Sequence, residues 1–174
     1  MKAASRSMIL IVLALLAPAA ATAQELEKLT AAEATVEAAW SELPIAFRKV
    51  ALVSEANGFG IYNERKDNVF KPGEPVIAYA EPVGYGWKDN GDGTYVFGFN
   101  VDLLVKTPDG KIVAGQENFQ RLELKSRARN KEFILTLTLN LDGAPPGDYI
   151  IEYVTRDITS SKSGKISLPV TIAP

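Results

Sequence analysis

From Pro44 to the C-terminus, apolar side chains recur at every second position, and this period dictates extended chain with one buried and one wet face. The clearest case is Phe133, Leu135, Leu137, Leu139 and Leu141, separated mostly by polar residues such as Thr136, Thr138 and Asn140. A second row is Tyr95, Phe97, Phe99, Val101, Leu103 and Val105, with Gly98, Asn100, Asp102 and Lys106 facing the other way. Pro108-Asp109-Gly110 carries turn chemistry and joins that row to Lys111-Ile112-Val113 as a hairpin. After the turn Asp142–Asp148, the segments Tyr149–Arg156 and Lys165–Ile172 form a closing hairpin. Phe47–Val53, Pro75–Ala80 and Arg121–Lys125 read as weaker strands. Seven or eight short strands with turn signals roughly every ten residues predict an antiparallel β-sandwich over residues 44–174.

Before Pro44 the period is helical. Leu26, Leu29, Val36, Trp40 and Leu43 share one face, among alanines, glutamates and leucines that favour helix. The spacing predicts an amphipathic helix over 24–43, with Thr30 and Glu33 as a capping box and Pro44 setting its end. Packing on its own domain is the expected use of the apolar stripe; docking onto a partner is the alternative.

Residues 1–23 have the layout of a cleavable export signal. Lys2 and Arg6 precede an apolar run from Met8 to Ala17, and Ala21-Thr22-Ala23 is a small-residue cleavage site. Ten helical residues span about 15 Å, half of a hydrocarbon core of roughly 30 Å, so a leader is expected rather than an anchor. The processed chain would begin near Gln24 and lie in the periplasm or outside the cell, with no membrane anchor. The chain has 19 basic and 21 acidic residues; losing Lys2 and Arg6 leaves 17 against 21, a net charge of −4. That balance gives no support for nucleic-acid binding.

Phe70-Lys71-Pro72-Gly73-Glu74-Pro75-Val76 resembles the strand entry of immunoglobulin-like and macroglobulin-like extracellular domains. Leu141-Asp142-Gly143 through Gly147-Asp148-Tyr149, with the hairpin that follows, is similar to the closing hairpin of bacterial immunoglobulin-like domains. Glu81-Pro82-Val83-Gly84-Tyr85-Gly86-Trp87 through Phe97-Gly98-Phe99 resembles a family of uncharacterised exported bacterial proteins. The resemblance covers most of residues 44–174. It implies an immunoglobulin-like fold and an extracytoplasmic compartment, and it carries no catalytic residue to transfer.

The chain has no histidine and no cysteine, which removes Ser-His-Asp and Cys-His catalysis and the usual zinc sites. Carboxylate pairs remain, since a glycosidase needs two. Glu74 and Glu81 flank one strand, and Asp89 and Asp92 share one loop. The loop Asp89–Thr94 is rich in oxygen ligands, but in EF-hand register Lys88 and Phe99 stand where carboxylates are required. A plain hairpin turn is expected there, with a looser calcium site as the alternative. Tyr85 and Trp87, in a glycine-rich stretch, are candidate ligand-binding residues together with Asp89 and Asp92; Tyr95, Phe97 and Phe99 are expected in the core. Arg121, Lys125, Arg127, Arg129 and Lys131 place cations at near-alternate positions, a candidate face for an anionic partner, with a solvated strand face as the simpler reading.

The sequence therefore predicts a non-enzymatic periplasmic binding or interaction module for a protein or envelope polymer, with no cofactor and no metal. A carbohydrate-active enzyme, or a structural component docking through the 24–43 helix, is the alternative. Oligomeric state is left open.

Overall fold

A computed structural model describes residues 17–174, with side chains from Thr22 onward. Most of the expected leader at 1–23 lies outside the described residues. The chain divides between Ala39 and Trp40.

The one helix among the described residues, α1, runs Ala17–Glu42. It ends as expected, with the Leu43 amide bonded to the Trp40 carbonyl and Pro44 barring another turn. Its start corrects the expected capping box. Thr30 lies inside the helix, and its hydroxyl donates back to the Leu26 carbonyl at 3.0 Å. An intrahelical carbonyl takes a mid-helix threonine as readily as a cap does, and sequence spacing does not distinguish the two. Leu26, Leu29 and Val36 are exposed, and Trp40 is buried.

From Ala46 the chain is almost wholly extended: β1 (Ala46–Gly58), β2 (Ile61–Glu64), β3 (Val69–Phe70), β4 (Val76–Val83), β5 (Lys88–Asp89), β6 (Tyr95–Lys106), β7 (Ile112–Ser126), β8 (Leu135–Leu139), β9 (Gly147–Asp157) and β10 (Ser163–Ile172). One sheet has the order β2-β1-β4-β8; the other runs β3-β10-β9-β6-β5, with β7 also paired to β6. The protein is mainly β. It has more strand segments than the expected seven or eight because β3 and β5 are two-residue bridges and β2 turns back directly on β1. The pairing is not wholly antiparallel, since β3 runs parallel to β10. The Lys111–Val113 and Arg121–Lys125 segments prove to be one strand, β7, which shifts register on β6 between the pairs Val101–Gln120 and Leu103–Gln116. Asn118 sits in that irregularity with φ of 50°.

The two-residue period is realised as burial. Val76, Ala78 and Ala80 of β4 and Leu135, Leu137 and Leu139 of β8 join Phe97, Phe99, Val101, Leu103 and Val105 of β6 in one core. Ile151 and Tyr153 of β9 and the even-numbered Ile166–Ile172 row of β10 complete it. Each valine, leucine, isoleucine or phenylalanine among them contributes about 1.5–3 kcal/mol when taken from water. Gly98 is required where β6 and β7 come closest. Its φ is +151°, and a Cβ there would sit 2.0 Å from the Leu122 carbonyl oxygen.

Candidate functional site

Tyr85, Trp87, Asp89, Asp92 and Lys125 gather at the β6 end that begins with Tyr95. Tyr85 is not a surface residue, which corrects its place among the candidate ligand-binding residues: it is 1% exposed. Its ring meets Trp40 edge-on at 5.1 Å and lies 5.7 Å from Phe99 and 5.8 Å from Phe133. Its hydroxyl donates to the Asn130 carbonyl at 2.9 Å, and burial pushes the phenol well above its ordinary pKa. The cause is the glycine before it. Gly84 has φ +81°, and a Cβ there would lie 2.3 Å from the Pro44 carbonyl, so this turn folds tightly against the chain and drives the next ring inward. Glycines that resemble loop flexibility in the sequence serve close packing.

Trp87 is half-buried, stacked on Trp40 at 5.7 Å, and its indole N–H donates to the same Asn130 carbonyl at 3.1 Å. The Lys131 ammonium lies 5.5 Å from its ring centroid. Below this loop the buried Asp157 accepts four bonds, from the Gly86 and Thr159 amides and from the Thr159 and Ser160 hydroxyls. The Gly86 bond ties the loop that carries Tyr85 and Trp87 to Asp157, and the Thr159 and Ser160 donors fix that carboxylate in its own turn.

Asp89 and Asp92 serve their own turn. Asp89 accepts from the Gly91 amide at 2.8 Å. Asp92 accepts from the Thr94 amide and hydroxyl on one oxygen and from Lys125 at 2.9 Å on the other. The Thr94 hydroxyl first, and then Lys125, hold the Asp92 carboxyl down at about 2. No group of three or more His, Cys, Asp or Glu among the described residues is placed to hold a metal ion.

The five cations do not share a face. β7 ends at Ser126, where the Ser126 hydroxyl donates to the Asn130 side chain and accepts from the Ala128 amide. Arg127, Arg129 and Lys131 therefore leave the strand, and Arg129 lies 4.9 Å from the Tyr95 ring centroid. Arg121 and Lys125 remain on the outward side of β7 with Glu123 between them. Arg121 pairs with Glu123 and Asn100, and Lys125 with Asp92. Paired, alternating charges of this kind neutralise one another.

The opposite end of the twelve-residue β6, roughly 35 Å distant, holds what sequence reasoning missed. A cavity of about 610 Å³ opens between the sheets, walled by Leu103, Val105, Val113, Ala114, Leu139 and Leu141. Thr107, Gln116, Asn140 and Asp142 supply its polar rim, and Asp142 is the one charged residue lining it. Asp142 is exposed and has no ion-pair partner among the described residues. Along its lip runs the first half of β7, exposed from Ile112 to Asn118. β7 pairs with β6 alone among the described residues, so its other edge is open. Apolar walls with a few placed polar groups, in a cavity of this size, make this the candidate binding or active site. The sequence held a faint signal: β8 is followed by a long Gly-Pro turn, and the facing strand carries the small pair Ala114-Gly115.

No family model matches the chain, and no curated protein matches it significantly.

Proposed function

We propose that this protein is a non-enzymatic, immunoglobulin-like binding module, exported to the bacterial periplasm, that holds a protein or envelope polymer at the cavity beside β7. The carrying observation is that apolar space of about 610 Å³ flanked by an open, exposed strand edge. The immunoglobulin-like reading is supported by Tyr149, at the start of β9, whose hydroxyl donates at 2.8 Å to the Pro145 carbonyl four residues upstream. That is the corner bond by which such sandwiches fix a strand entry. Export is supported by the layout of residues 1–23.

The carboxylates considered for glycoside hydrolysis are otherwise engaged, which favours binding over catalysis. Glu74 accepts from the Lys71 amide and from Arg65, and these bonds lower its pKa, whereas a general acid needs a raised one. Glu81 accepts from the Tyr79 hydroxyl at 2.6 Å.

The test is a photo-cross-linking residue placed at Val113, beside the cavity, or at Lys88, at the far end, in cells that export the protein. An adduct from Val113, absent from Lys88 and lost when Ala114→Trp fills the cavity, is the expected result. Equal or absent labelling at the two positions overturns the reading.

A further inference from the structure

The second sheet ends on β7, and the first ends on β8, on the same flank of the sandwich. The two edges touch where the Gln120 side-chain amide reaches the Thr136 carbonyl at 3.5 Å. Beyond that point they separate. β8 stops at Leu139 after five residues, whereas β7 spans fifteen and its Ile112–Gln116 half has no strand facing it across the flank. The cavity is that gap. Ala114 and Gln116 face into it, as register partners of the buried Val105 and Leu103.

We propose, resting on the binding-module reading above, that the occupant is an extended peptide segment of a partner protein, added as a further strand on the Ile112–Gln116 edge. Its alternate side chains are apolar, and a lysine or arginine follows them.

The open edge supplies unpaired backbone donors and acceptors, which an extended chain satisfies and a lipid tail does not. A strand laid there directs every second side chain, about 7 Å apart, into the apolar cavity. The charge comes from Asp142, a free carboxylate on an otherwise uncharged lining, which is complementary to a cationic side chain. A second copy of this chain pairing through the same edge would bring Ala114 and Gln116, too small or too polar to fill such a space. The pairing is therefore with a foreign segment.

The experiment uses the processed full chain and three probes at up to about 1 mM, the weak end of specific affinity. The first is a capped heptapeptide alternating threonine with valine or isoleucine and ending in lysine. The second is the same composition with its apolar residues consecutive, and the third is dodecanoate. The expected result is binding of the alternating peptide at least tenfold tighter than its rearranged form, with slowed amide exchange confined to Ile112–Gln116. Ala114→Trp weakens that binding at least tenfold. Asp142→Lys, an exposed loop change that leaves the core untouched, weakens it severalfold and restores it for a peptide ending in glutamate.

Dodecanoate binding without peptide binding overturns the strand inference while the cavity keeps its role. Peptide binding indifferent to both substitutions, or a doubling of solution mass through β7 in place of peptide binding, also overturns it. If no probe binds while Val113 still cross-links in cells, the extended-peptide inference falls and the broader reading stands.

Discussion

The indole N–H of Trp40 donates to the backbone carbonyl of Tyr85 across 2.8 Å, and the two rings meet edge-to-face at 5.1 Å. One side chain thereby satisfies a buried carbonyl and closes the aromatic end of the core. Trp40→Ala is expected to cost about 3–5 kcal/mol through the lost rings contact and the space left behind. Trp40→Phe keeps a ring but orphans the Tyr85 carbonyl, a loss of about 1–3 kcal/mol. Urea unfolding of the two variants checks the order; equal midpoints for Trp40→Phe and the parent would show that the hydrogen bond contributes nothing.

Acid stability has a definite sign at Asp92. Its folded carboxyl lies at about 2, below the ordinary 3.8, because Thr94 and Lys125 stabilise the charged form. A depressed carboxylate contributes stability that is fully present above its unfolded value and is lost as pH falls through the folded one. The window is therefore from about pH 4 down to about pH 2. Asp92→Asn removes this titration, so its melting temperature should fall less than the parent's across that window. Glu152, lowered chiefly by its bond to Lys106, keeps titrating in both proteins. Parallel curves for the two proteins would refute the assignment to Asp92.

Close strand contact makes Gly98 a stringent position. A methyl group there meets the Leu122 carbonyl at 2.0 Å and the Glu123 Cα at 2.9 Å, both backbone atoms that cannot step aside. Gly98→Ala should destabilise by about 2 kcal/mol or more and raise amide exchange on both sides of the β6–β7 ladder. Gly110→Ala is the comparison, since its Cβ meets nothing within 4 Å, although its φ of +89° still carries a smaller strain. A Gly98 variant no weaker than the Gly110 variant would contradict the close approach.

Phe97 and Leu137 show why so much of the fold was legible. Their burial follows from which way each points, and that is set by the residue's own place in a two-residue period. Tyr85 shows the opposite. Its neighbours are glycines, its local sequence resembles an exposed loop, and its burial depends on Pro44, Trp40 and Asn130, each about forty residues away. The cation series fails in the same manner, because the break at Ser126 is made by a side-chain turn that no alternation announces.

Local chemistry alone was enough to determine that this chain is mostly extended, that its odd and even positions part into core and solvent, and that a helix stops before Pro44. Each of those properties depends on a few neighbouring residues. Tertiary structure decided which strand became the outer one, that β8 is too short to face all of β7, and that an apolar cavity opens between them. These depend on the register of segments far apart in the chain, where a shift of one residue exchanges inside for outside.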